Sequence, residues 1–211
     1  MARAGTIDGD VRIIGEVIAD SYELSDKVTR TSDIAQETLQ KFVIPMTSFV
    51  VHDAPQTKLP GTAANDDLGL YGTTPGTDSM YMAAGDIGGA ASTRYARCTF
   101  PVPQNYDSGQ TVQIRVSCAV TTTVCDTSCT IDVECWESDK EAAVGADICA
   151  TAATSMNSTT WANKDFTITA TNLVAGDVLD IRLAIAYSDT GNLGVMIPSI
   201  GSVELLCDTR G

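Results

Sequence analysis

Acid–base, nucleophilic and metal chemistry at neutral pH draws first on histidine, and the chain has one, His52, in the apolar stretch Phe49-Val50-Val51-His52-Asp53. One imidazole excludes any site that needs two. Asp53 is a poor orienting partner, because adjacent residues of a strand point to opposite faces. His52 is therefore read as structural or partly exposed, with catalysis the weaker alternative. The seven cysteines are Cys98, Cys118, Cys125, Cys129, Cys135, Cys149 and Cys207. Cys125-x-x-x-Cys129 has the spacing of half a zinc site, but a second pair at a recognisable separation is missing, so no metal is expected. Carboxylates at Asp66-Asp67, or Asp139 with Glu141, could bind calcium or divide acid and base roles as glycosidases do. They are read as solvated loop charge. No phosphate-cradling Gly-x-x-x-x-Gly-Lys and no Gly-x-Gly-x-x-Gly opens a helix, and Gly85-Asp86-Ile87-Gly88-Gly89 reads as a flexible loop. The sequon Asn157-Ser158-Thr159 matters only in a secreted protein. The inventory points to no cofactor and no catalytic residue, hence to a protein that is not an enzyme.

Composition narrows the partners. The 211 residues carry 13 Lys and Arg against 27 Asp and Glu, a net charge of −14. Such an acidic chain is a poor ligand for nucleic acid or an anionic membrane, both of which reward dense positive charge. No apolar run approaches the ~20 residues that span a bilayer. Residues 1–5 lack the apolar stretch of a signal peptide, so a soluble product not exported by that route is expected. An apolar fraction of 44% suffices for a core.

Three stretches would have to position any site. Residues 6–20 read as short strands broken by Gly9 and Gly15, too few to bury a core alone, so a partner surface is implied. Residues 31–41 follow possible caps at Thr31, Ser32 or Asp33 and read as a short helix or linker, with Pro45 barring extension. From Phe42 onward the pattern is β, beginning with an edge strand over 42–51 interrupted by Pro45. Residues 54–92 are loop-like with apolar islands at Leu68-Gly69-Leu70 and Met80-Tyr81-Met82, and so long a loop usually has a job or hides short strands. Val112, Ile114, Val116 and Cys118 alternate with polar residues, as do Ile131, Val133 and Cys135, the signature of strands with one wet face. Further strands are read over 94–100, 164–169, 178–186 and 195–207, with turns at Gly109, Gly176 and Gly191. Buried among them, Cys98, Cys118, Cys135 and Cys207 act as small hydrophobes, and Trp136 falls within the same core pattern. A cross-strand Cys118–Cys135 disulfide is conceivable in an oxidising medium. The architecture expected is an all-β, antiparallel β-sandwich over 42–211, with a strand-rich extension at 1–30 and a short helix or linker at 31–41.

The stretch Leu173-Val-Ala-Gly-Asp-Val-Leu-Asp-Ile-Arg-Leu, a Leu-x-x-Gly-Asp turn followed by an alternating strand, resembles the jelly-roll modules of tailed-phage virion proteins. Residues 7–16 are similar to the Gly-punctuated strands with which such proteins begin. The resemblance implies a capsid decoration (cement) or head-fibre subunit on the virion exterior, assembled in the host cytoplasm, a homotrimer with the major capsid protein as its partner. Ile13, Ile14, Val17 and Ile18 are the candidate capsid contacts. The alternative is a receptor- or carbohydrate-binding tail-fibre tip, with Tyr71, Tyr81 and Tyr95 as candidate sugar-binding aromatics.

Overall fold

The computed structural model describes residues 39–72, 74–86, 89, 91–138, 145–191 and 194–209. The chain divides into two units, Met1–Ala35 and Gln36–Gly211, and the described residues all fall in the second. The extension at 1–30, its candidate contacts Ile13, Ile14, Val17 and Ile18, and Asp139 with Glu141 lie outside the described residues.

Among the described residues ten strands form two antiparallel sheets: β1 Gln40–Val43, β2 Gly69–Tyr71, β3 Tyr81–Ala83, β4 Ala91–Pro101, β5 Val112–Thr121, β6 Ser128–Ser138, β7 Thr154–Ser155, β8 Ala162–Ile168, β9 Val178–Ser188 and β10 Ile197–Cys207. The larger sheet runs β2-β3-β10-β5-β8, with β1 also on β10, and the smaller runs β4-β9-β6-β7. β3 pairs with β10, β4 with β9, β5 with β8 and β6 with β7. First pairs with last and so inward, which is the rolled hairpin of a jelly roll. The protein is an all-β jelly-roll sandwich.

Period two explains the layers. Val112, Ile114, Val116 and Cys118 of β5 face inward and are buried, as are Cys129, Ile131, Val133 and Cys135 of β6. Ile114 lies opposite Phe166 of β8, both fully buried, and each such side chain contributes about 1.5–3 kcal/mol by leaving water. The Leu-x-x-Gly-Asp turn forms as its residues dictate: Leu173 plugs the core, Gly176 adopts φ +89°, and the Asp177 carboxylate accepts the Val174 N–H at 2.6 Å. Gly109 also takes a positive φ. Gly191 serves close approach instead, since a Cβ there would meet an Asp126 carboxylate oxygen at 2.4 Å.

Several expectations change. Gln40 and Lys41, assigned to the helix or linker at 31–41, open β1, whose partners are Cys207 and Leu206. Backbone pairing with a long strand, with Phe42 packed against the core, takes up these two residues, and positions 31–38 of the expected helix or linker lie outside the described residues. The strand over 42–51 stops at Val43, and Pro45 leads into a single 3₁₀ turn, Met46–Ser48, that carries the chain from one sheet to the other. The apolar islands of 54–92 are β2 and β3. Cys118 and Cys135 belong to opposite sheets and are not cross-strand neighbours, and all seven cysteines are free thiols. Trp136 is not a core residue. With Cys135 inward, it points to the outer face of the smaller sheet. Among the described residues no helix is long and apolar enough to cross a membrane.

Candidate functional site on the outer face of the smaller sheet

The inward alternation of β4, β9 and β6 dictates what they present outward. Ala96 and Cys98 are buried, so Tyr95 and Arg97 face out, and Ile181 and Leu183 likewise leave Asp180 and Arg182 outside. The third strand adds Glu134 and Trp136. Pairing aligns Arg97 with Arg182 and Glu134, and Asp180 with Trp136. Two arginines directly opposite would repel, and each is neutralised by its own acid. Arg97 forms a two-pronged pair with Asp180, with Nε donating to Oδ1 at 2.7 Å and Nη2 to Oδ2, and Arg182 donates to Glu134. The hydrogen bonds to Asp180 raise the Arg97 pKa beyond its ordinary value.

Planar groups line up across these strands. The His52 ring lies 4.7 Å from that of Tyr95, and the Arg182 guanidinium sits 5.0 Å from the Tyr95 ring centre and 5.6 Å from that of Trp136. His52 arrives from a distant segment. β4 is an edge strand, and two crossings cover its free edge: Val50 exchanges N–H···O bonds with Arg97, at 2.8 and 3.1 Å, and Tyr95 donates to Asp66 and accepts from Leu68. Those bonds fix His52, two residues past Val50, beside Asp66 and Asp67. The turn that holds the aspartates closes by Asp67 N–H donating to Ala64 O, with Asn65 at φ +51°, a conformation asparagine tolerates well.

The product is an open cleft of about 210 Å³ lined by His52, Arg97, Trp136, Asp180 and Arg182. It is smaller than the ~300–1,000 Å³ of enclosed small-molecule pockets and faces solvent. Its carboxylate, Asp180, and the neighbouring Glu134 are each held by an arginine. Neither is placed as a lone proton donor or as one of a facing acid–base pair. The arrangement can stack against a flat apolar face and exchange hydrogen bonds with hydroxyls around it.

Of the candidate aromatics, only Tyr95 shares this sheet face, where it packs beside the cleft residues His52 and Arg182. Tyr71 and Tyr81 are cross-strand partners in the larger sheet and stack on each other at 5.4 Å, and Tyr71 accepts the Ala63 N–H. Asp67, read as solvated loop charge, is mostly covered, whereas Asp66 is more than half exposed. The thiols of Cys125 and Cys129 interact with each other, burial raises both pKa values, and no third metal-ligating side chain joins them among the described residues.

No family model and no curated protein matches the chain. Solved structures with a similar course include a xylan-binding module, CBM15 (13% identity, TM-score 0.42, covering 82% of this chain and 99% of that one). A xylan-binding domain of CBM 22 is 12% identical with a TM-score of 0.41, covering 85% of this chain and 99% of that one. The infectious bursal disease virus Gt strain structure is 14% identical with a TM-score of 0.37, covering 90% of this chain and 40% of that one. Similarity at this level leaves the ligand to the geometry of the cleft.

Proposed function

We propose that this chain is a non-catalytic carbohydrate-binding protein, and that sugar lies on the β4-β9-β6 face against Trp136. The observation that carries the reading is the row His52, Tyr95, Arg182 and Trp136, flanked by the fixed polar pair Arg97–Asp180. Sugar recognition needs an accessible aromatic face with pre-oriented donors and acceptors beside it; Trp136 and Tyr95 are partly exposed, and the Arg97–Asp180 pair supplies the fixed polar groups. Charge selects the sugar class. Arg97 and Arg182 are offset by Asp180 and Glu134, with Asp132, Asp66 and Asp67 nearby on a chain of net charge −14. An uncharged polysaccharide suits this surface better than a uronate or sulfated one.

The setting is part of the same proposal. In it the chain is a virion-exterior module, homotrimeric and attached to the major capsid protein through residues 1–30. The division of the chain at Ala35 supports such a division of labour. The test is affinity electrophoresis through gels containing neutral or acidic polysaccharides. The expected result is retardation by at least one neutral polysaccharide, lost in Trp136→Ala. Equal retardation of both chains, or migration unaffected by any polysaccharide, would refute the reading.

A further inference from the structure

We propose that His52, Asp66 and Asp67 form a divalent-cation site of the zinc type at the rim of the cleft. The site stands on its own geometry and does not rest on the carbohydrate reading. His52 Nδ1 and Asp67 Oδ1 face each other at 3.5 Å. Both atoms are sealed from solvent, and neither has a hydrogen-bond partner. Two facing polar atoms left in that state are costly, because each has given up water without replacement. Their separation is long for a hydrogen bond but natural for two ligands of one metal. Ligands about 2.0–2.1 Å from a tetrahedral zinc lie about 3.3–3.4 Å apart.

The third ligand is at hand. One donor atom from each of His52, Asp66 and Asp67 lies within 4.8 Å of the other two. The Asp66 carboxylate sits nearer the other ring nitrogen, Nε2, at 3.7 Å, and at 54% exposed it is free to rotate toward the Nδ1 side. The backbones that carry the ligands are already fixed, because Val50, Asp66 and Leu68 are hydrogen-bonded to β4. Little ordering therefore opposes binding. One imidazole with two carboxylates favours zinc over calcium, which prefers six to eight oxygens. A bound ion would tie the two crossings that cover β4 to each other and fix one wall of the cleft, with a fourth position left for water or ligand.

The test is Zn²⁺ titration of the full chain carrying Cys149→Ser, which removes the one thiol that is not fully buried. The expected result is one Zn²⁺ per chain at micromolar or tighter affinity, a higher melting temperature with Zn²⁺, and no comparable response to Ca²⁺. His52→Gln and Asp67→Asn should abolish uptake. Asp66→Asn, at an exposed position that does not threaten folding, should weaken it at least tenfold. A rival occupant, a protonated imidazole shared between the two aspartates, predicts no uptake by the parent chain. That result, or unchanged affinity in Asp66→Asn, would overturn the site.

Discussion

The two outer faces of the sandwich obey the same alternation and end up chemically different. On the larger sheet, Arg115 of β5 pairs with Asp165 of β8 by two hydrogen bonds of 2.6 and 2.8 Å, and the Asp165 side chain stays 37% exposed. On the smaller sheet, Arg97 and Asp180 make a pair of the same form, yet the Asp180 side chain is 9% exposed. The difference is cover. The free edge of β4 is clothed by the chain at Val50 and at residues 66–68. Alternation makes a wet face, and long-range cover makes part of it a cleft.

Breaking the two ion pairs should show the largest contrast. Asp180→Ala leaves Arg97 beside a covered surface without its counter-charge. It should cost about 3 kcal/mol, the low end of the range for buried pairs because Arg97 is one-third exposed. Asp165→Ala on the open face should cost less than about 1 kcal/mol. Urea unfolding of the two variants measures both, and equal costs would erase the distinction.

Aromatic packing gives the next effect. Trp161 is half exposed over the larger sheet, and a Cβ at Gly201 would meet its ring at 2.9 Å, at the irregularity between Ile200 and Ser202. Gly201→Ala should displace that ring and cost about 1 kcal/mol while leaving binding at the Trp136 face unchanged. Loss of polysaccharide binding in this variant would move the site to the other sheet.

The faces should also titrate in opposite senses. On the smaller sheet, burial raises the Asp132 pKa, helped by Glu134 and Asp147. Its proton is held more tightly folded than unfolded, so its favourable contribution is full at low pH and is lost as pH rises through the raised value. On the larger sheet, the hydrogen bonds from Arg115 lower the Asp165 pKa. That contribution is present above the unfolded value and is lost as pH falls through the lowered one. At pH 7 Asp132→Asn should therefore stabilise slightly and Asp165→Asn destabilise slightly. Unfolding curves at pH 3–7 check both signs.

Much of this was legible in the strands. With Cys135 inward, period two puts Glu134 and Trp136 outward, and the same rule exposes Arg97 beside Cys98 and Arg182 beside Ile181. The signal for the cleft is present in the strands, but the size and apolar character of Trp136 point to the core when alternation is not applied to it. Three outward pairs on separate strands become one surface only through the register of β4, β9 and β6, which follows from the fold as a whole. Sequence alone offers His52 only Asp53, its chain neighbour, as a partner. Its actual neighbours, Asp66 and Asp67, reach it because both segments hydrogen-bond to β4, a long-range pairing that no local pattern encodes. The β-patterned runs around Cys98, Cys118, Cys135 and Cys207 imply that these thiols are buried, and all four are. Burial raises the Cys118 and Cys207 pKa values to about 11, so native labelling at pH 8 should modify Cys149 first and the other six thiols only on unfolding.

The central claim can be read from two signals, because the chain has two tryptophans. In a ¹⁵N–¹H spectrum each indole N–H gives its own peak, and a bound polysaccharide shifts the peak of the ring it covers. Titration with the best-retarding neutral polysaccharide should move the Trp136 peak in a saturable way and leave Trp161 in place. Movement of Trp161 alone, or of neither, would contradict the account.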